Sequence, residues 1–224
     1  QCKRCPFLAD LNGFGETGMR AIAIRPDNRD SSGLLDRMHR LRALIFQGRL
    51  AWDVEVKQGR EVDQFDAFRP TYILTITPSL DVVGCARLLP AMGPTMMQVL
   101  FPDLERDGLL HPHSAMVESS RFCVDTSLQA GRAGGSLHDV TLTMFAAIIE
   151  WSMEQGYSEI VTGTDIRFER ILKRAGWPMA RIGEPRPIGN TMAVAGLLPA
   201  NCESFERVRP ANYEPLHRPL FRAA

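Results

Sequence analysis

Apolar positions along this chain change their period several times, and each change marks an element. Met19 to Ile24 reads as a strand. Leu35, Met38, Leu41, Leu44 and Ile45 then recur at threes and fours, so an amphipathic helix is expected over about 34–47, with Gly48 as its stop. Tyr72–Thr77 and Val82–Leu89 are apolar runs on either side of the turn-forming Pro78–Asp81, the pattern of a β-hairpin. Residues 90–114 are rich in turn formers, with a short helical piece near Val99–Leu104, and Met116–Val124 is another strand. A helical stripe of Leu137, Val140, Met144, Ile148 and Trp151 follows a capping box, Ser136 to Asp139, and ends at Gly156. Ser158–Thr164 is a short buried strand and Ile166–Ala175 a basic helix stopped by Gly176–Pro178. Two further strands are expected within 179–197 and a last helical turn near Cys202–Val208. This order predicts a mixed three-layer α/β sandwich around one sheet.

One stretch has no such rhythm. Residues 53–66 hold Asp53, Glu55, Glu61, Asp63 and Asp66 against Lys57 and Arg60, and the segment runs on to Pro70. A loop of about twenty residues without periodic structure is uncommon in a compact domain unless it serves a function. Residues 1–18 also lack a period and are expected to be a disordered leader or an upstream extension, with one domain over 19–224.

The composition narrows the classes. Apolar types are 45% and charged types 23% of 224 residues, as in soluble globular proteins. Basic and acidic residues balance at 26 each, so no global charge draws the chain to nucleic acid or to an anionic membrane. No apolar run approaches the roughly 20 residues that span a bilayer. Cys2 and Cys5 form a lone pair without the second pair of a zinc site, and no metal is expected. Cys85 and Cys123 sit in apolar stretches and should be buried thiols; a reducing cytoplasm is the expected location.

Charge also occurs where the apolar pattern leaves no room for it. Arg87, Glu118 and Arg121 lie inside apolar strands, and Arg42 adjoins the helix stripe at Leu41. A charge in a strand interior must pair or face a polar cavity. The acidic segment supplies partners: Glu61, Asp63 and Asp66 can be clamped by Arg42, Arg87 and Arg121. A spacing of three puts Glu118 and Arg121 on opposite faces of their strand unless it bulges. A structural ion-pair network and a functional site both fit these observations.

The succession Arg42, Phe46, Trp52, Glu61, Asp63 and Asp66, then Arg87, then Glu118 with Arg121, resembles the acyl-homoserine-lactone synthase (autoinducer synthase) family. The similarity continues through Gly84–Pro90, Val117–Asp125 and Arg170–Trp177, spans about residues 19–200, and is nearest to the branch carried on rhizobial conjugative plasmids. It implies an N-acetyltransferase-like fold, a three-layer αβα sandwich around a mixed, V-shaped sheet. It implies an acyltransferase that joins an acyl chain from acyl carrier protein to S-adenosylmethionine. That compound is then a co-substrate beside no tightly bound cofactor, and the products are a lactone autoinducer, methylthioadenosine and free carrier protein.

By the same resemblance, Glu61 and Glu118 are alternative general bases, Arg121 lies beside them, and a backbone N–H near Ser120–Phe122 meets the oxyanion. Phe46 and Trp52 suit the sulfonium co-substrate by stacking and cation–π contact, or pack as core. Arg42 and Arg87 orient carboxylates, and Asp63 and Asp66 hold the loop. Thr162 falls where family members contact the third acyl carbon, implying a 3-oxo chain. Met144 and Ile148 line an acyl tunnel or are plain core. The basic residues Arg167, Arg170, Lys173 and Arg174 form a face for an acidic carrier protein or a solvated helix face. An N-acyltransferase using acyl-CoA on another amine and a non-catalytic binding domain are the rival readings.

Overall fold

In a computed structural model of the chain, residues 19–27, 32–106, 108–127 and 139–216 are described. Strand β1 (Arg20–Ile24) leads to helix α1 (Ser32–Ala43), which widens into a π-helical turn, Leu44–Arg49. The acidic segment is more ordered than its sequence suggests. It holds a two-rung hairpin, β2 (Val56–Lys57) with β3 (Arg60–Glu61), and a 3₁₀ turn, Gln64–Phe68. Two rungs are too short for alternation to register in the sequence. Strands β4 (Thr71–Ile76) and β5 (Val82–Pro90), helix α2 (Met96–Leu100) and strand β6 (Met116–Val124) follow. Next come helix α3 (Asp139–Glu154), strand β7 (Glu159–Asp165) and helix α4 (Ile166–Arg174). Strands β8 (Ala180–Arg181), β9 (Arg186–Ile188) and β10 (Thr191–Pro199) and helix α5 (Cys202–Val208) complete the order. The region 179–197 thus carries three strands where its pattern predicts two. The expected capping box at Ser136 and the expected leader lie outside the described residues.

The main sheet runs β1-β4-β5-β6-β7-β10-β8, with β9 paired to β10. Every neighbouring pair is antiparallel except β6 and β7. Those two match only at Met116–Glu118 against Glu159–Val161 and then separate, although β6 continues to Val124 and β7 to Asp165. This splits the sheet into two arms that open toward the C-terminal ends of β6 and β7. At the fork, the Thr162 hydroxyl donates to the Ser119 carbonyl at 2.8 Å, one residue past the last backbone rung.

Alternation along the strands sorts side chains between the layers. Tyr72, Leu74, Ile76 and Cys85 pack with Met38, Leu41, Ile45 and Phe46 under α1. Ile73, Val83, Ala86 and Leu88 pack on the other face with Val140, Met144, Phe145 and Ile148 of α3, together with Leu172 of α4 and Val208 of α5. Met97 of α2 and Leu104 close a third cluster with Val161, Ala193 and Ala195 on the second arm. Among the described residues no helix is long and apolar enough to cross a membrane.

Candidate active site

The site begins with a departure from strand geometry. Between Cys85–Cys123 and Arg87–Ser120 the register slips, so Ala86 alone opposes both Arg121 and Phe122. Arg121 takes φ +53°, the left-handed region a non-glycine residue occupies only at a cost of order 1–3 kcal/mol. This bulge resolves the facing problem. Glu118 and Arg121 emerge on one face, and both touch Met96. The Glu118 carboxylate accepts the backbone N–H groups of Met96 at 3.1 Å and Met97 at 2.8 Å, while Arg121 Nη1 approaches Met96 Sδ at 3.5 Å.

Beside them lies the clamp of three guanidinium groups on three carboxylates. Arg42 Nε meets Glu61, and its two terminal nitrogens hold Asp66 at 2.8 and 3.0 Å. Arg87 Nη1 reaches Asp63 at 2.5 Å and Asp66 at 2.9 Å, and its Nε donates to Ser120 Oγ at 3.2 Å. Arg121 Nε donates to Glu61 Oε1 at 3.1 Å, and its Nη2 stands 2.8 Å from Asp63 Oδ2 as an ion pair. Arg42, Arg87, Glu61 and Glu118 are all 0–1% exposed. Asp63 caps the 3₁₀ turn by accepting from the Phe65 N–H, and Asp66 accepts the Asp63 N–H in return. The two aspartates therefore fold the loop while the arginines dock it.

Burial alone would raise the Asp66 carboxyl, but the hydrogen bond to Arg42 and the charges of Arg42 and Arg87 outweigh it and hold it well below the usual carboxylate range. Tyr72 donates to Asp66 at 2.6 Å, and burial plus that anion push its phenol far up, so it stays a donor. His39 Nδ1–H donates to the Glu61 carbonyl at 2.8 Å; burial and the nearby Arg42 charge lower the ring's pKa, favouring the neutral form. No motif pointed to His39 or Tyr72. The only signal for His39 was its place one helical turn before Arg42.

Phe46 and Trp52 stack at 5.2 Å with 3° between their planes, and the Arg121 guanidinium lies 5.6 Å from the Phe46 centroid. Phe46 is fully buried and Trp52 half-buried. A cleft of about 350 Å³ opens on another side of the clamp, lined by Pro26, Leu35, His39, Val62, Asp63 and Tyr72 among others. Neither aromatic lines it.

The acyl-side candidates separate. Thr162 stands at the fork, with its one hydroxyl hydrogen committed to Ser119. Next to it Gly163 allows a close approach, since a Cβ there would stand 2.7 Å from Met97 Sδ. Met144 instead packs over Gly84 and near Thr75 on the β4–β5 hairpin, and Ile148 lies in the same core. Arg167, Arg170, Lys173 and Arg174 are exposed on α4, directly after β7. Arg181 pairs Glu169 with two bonds of 2.6 Å, which removes the acidic residue from that face.

A sheet forked beside a bulged strand gives the chain an N-acetyltransferase-like fold, and the comparisons place it among the acyltransferases. A family model described as Autoinducer synthase matches residues 27–208. An acyl-homoserine-lactone synthase of Agrobacterium fabrum is 58% identical over 201 residues, covering 89% of this chain and 95% of that protein. The crystal structure of the synthase LasI superposes with a TM-score of 0.75 at 31% identity, over 89% of this chain and 98% of that one. BjaI, a CoA-dependent acyl-homoserine lactone synthase solved with SAM and isopentyl-CoA, gives 0.76 at 25% identity over 88% and 93%. An N-acetyltransferase from Lactobacillus plantarum shares the fold alone, at 14% identity and a TM-score of 0.56 over 82% of this chain and 99% of that one. The chain belongs to the autoinducer synthase family and is an acyl-homoserine-lactone synthase.

Proposed function

We propose that this synthase transfers an acyl chain, of the 3-oxo class, from acyl carrier protein to the amine of S-adenosylmethionine and then closes the lactone. The observation that carries the reading is the bulge at Arg121, which sets Glu118, Arg121 and Glu61 together at the fork of the sheet. The amine must lose a proton to attack a thioester. Each Glu61 oxygen is bonded to a guanidinium, whereas Glu118 meets two backbone N–H groups and no ion-pair partner among the described residues. Glu118 therefore keeps lone pairs for the ammonium hydrogen, directly or through a water, and Glu61 serves as the anchor of Arg42 and Arg121. As the nitrogen bonds to the acyl carbon, the oxyanion forms beside the bulge, and the carrier leaves as thiolate. The amino acid's carboxylate then displaces methylthioadenosine from its own Cγ, a step for which orientation supplies most of the advantage.

The co-substrate reading is supported by the Phe46–Trp52 stack with Arg121 beside it, and by the SAM bound in BjaI. The carrier-protein reading is supported by the exposed basic face of α4, and a cytoplasmic reaction is part of the same proposal. Incubating the protein with 3-oxo-acyl carrier protein or 3-oxo-acyl-CoA, each with S-adenosylmethionine, and following products by mass spectrometry tests it. Lactone plus methylthioadenosine is expected, with kcat/KM higher for the carrier-bound donor. Glu118→Gln is expected to lower kcat at least about a hundredfold in a folded protein. A preference for the CoA thioester reassigns the donor, and wild-type turnover in Glu118→Gln removes that residue from proton transfer.

A further inference from the structure

The segment that carries both aromatic rings also bridges the two arms of the sheet. On the first arm, Arg49 in the π-helical turn donates to Thr126 Oγ at 2.8 Å, just past the end of β6. On the second arm, the turn between β9 and β10 reaches across 140 residues of sequence. Asn190 Nδ2 donates to the Leu50 carbonyl and to the Ala51 carbonyl, both at 3.1 Å. Two carbonyl acceptors require that the amide nitrogen, not its oxygen, face the strap.

The direction of the strands makes this contact span the opening. β6 and β7 are parallel and diverge toward their C-terminal ends. β10 is antiparallel to β7, with Ala193 opposite Asp165, so the turn before Thr191 lies at the open end of the second arm. Leu44–Trp52 therefore crosses the mouth of the fork, tied to one arm through Arg49 and to the other through Asn190. The tie is needed locally. Ala51 holds φ +52°, a left-handed conformation that an alanine does not keep without outside support. The next residue is Trp52, whose backbone N–H donates to the Phe46 carbonyl at 2.8 Å and whose ring covers Phe46.

We propose that Asn190 is a positioning residue of the synthase: it latches the strap over the open fork and so sets the place of Trp52 for the sulfonium co-substrate. The inference rests on the reading that Phe46 and Trp52 receive that molecule. Asn190 touches neither reacting atoms nor rings and acts through two backbone carbonyls. Admission of the co-substrate then involves release and renewal of this latch.

The test uses the full chain labelled with 5-fluorotryptophan, whose three tryptophans give three fluorine resonances, with Trp52→Phe assigning one of them. Asn190→Asp keeps the shape of the side chain and replaces the donor by an acceptor facing two carbonyls. In this variant the Trp52 resonance is expected to move or broaden while those of Trp151 and Trp177 stay in place. KM for S-adenosylmethionine is expected to rise about five- to tenfold, the loss of two exposed hydrogen bonds, with kcat within about twofold and the melting temperature nearly unchanged. Asn190→Ala is expected to follow in the same direction. A wild-type Trp52 resonance that ignores S-adenosylmethionine overturns the pocket reading itself. A wild-type resonance that responds, with Asn190→Asp and Asn190→Ala matching the wild type in both spectrum and KM, overturns the latch and leaves the pocket standing.

Discussion

Three carboxylates and three guanidinium groups meet in hydrogen bonds and ion pairs on one side of the sheet, and every member has at least one oppositely charged partner within the cluster. Such a cluster is costly to desolvate and costlier to break, because removing one partner leaves a buried charge worth about 3–5 kcal/mol of destabilisation. Its charged members were legible in the sequence because Arg87 and Arg121 interrupt apolar strands and the acidic segment holds Glu61, Asp63 and Asp66 as partners. The neutral members, Tyr72 and His39, look like ordinary core positions and were not. They make pH a probe of the cluster. The His39 ring binds a proton less tightly in the folded chain than its ordinary value of 6.5. The unfolded chain thus holds more protons below that value, so His39 contributes stability that is complete above about pH 6.5 and is lost as pH falls below it. Asp66 behaves alike below about pH 4, the ordinary carboxylate range. Urea unfolding from pH 7 down to pH 5 is expected to show declining stability, and His39→Asn, which keeps a donor for the Glu61 carbonyl, should flatten that slope. Equal slopes in the two proteins would show that another group governs this range.

Among the elements, two local distortions do what regular strands and helices cannot. The bulge at Arg121 turns a spacing of three into a shared face, and the fork between β6 and β7 opens a space beside it. Neither distortion has a compositional mark. Arginine is a poor choice for a left-handed position, and nothing in Ser119 or Thr162 announces the end of pairing. Thr162→Val removes the hydroxyl that bridges the fork, and a loss of about 1 kcal/mol in unfolding free energy is expected from the deleted hydrogen bond. If the acyl chain is of the proposed 3-oxo class, the same change should shift products toward unsubstituted chains, because a ketone at the third carbon would take that hydroxyl from Ser119. A product profile identical to wild type, read by mass spectrometry, would remove Thr162 from acyl recognition and leave it only a structural role. Met144 teaches the opposite lesson. Its helical stripe is real, yet it faces Gly84 on the β4–β5 hairpin, and a stripe alone cannot say which strand lies beneath.

For the whole molecule, a formal charge of zero hides an uneven distribution. Glu61, Asp63 and Asp66 turn inward to the arginine clamp, and α4 shows Arg167, Arg170, Lys173 and Arg174 outward at the end of the second arm. If an acidic carrier protein docks there, the rate at limiting substrate must depend on salt, since attraction between exposed charges is screened over about 10 Å at 0.1 M. Raising salt from about 0.05 to 0.5 M should lower kcat/KM for acyl carrier protein severalfold, and Arg170→Glu with Lys173→Glu should abolish most of that dependence. A salt-independent kcat/KM would place the donor elsewhere. The chain's own pattern determined the order of the main helices and strands, the three layers, and which charges needed partners, because periodicity and burial are local properties that each residue writes into the sequence. The tertiary structure alone decided that β6 and β7 part after Glu118, that Arg121 shares a face with Glu118, and that Asn190 reaches the strap carrying Trp52. Those outcomes rest on register and on contacts between segments up to 140 residues apart, where each residue's choice depends on a partner that no local pattern names.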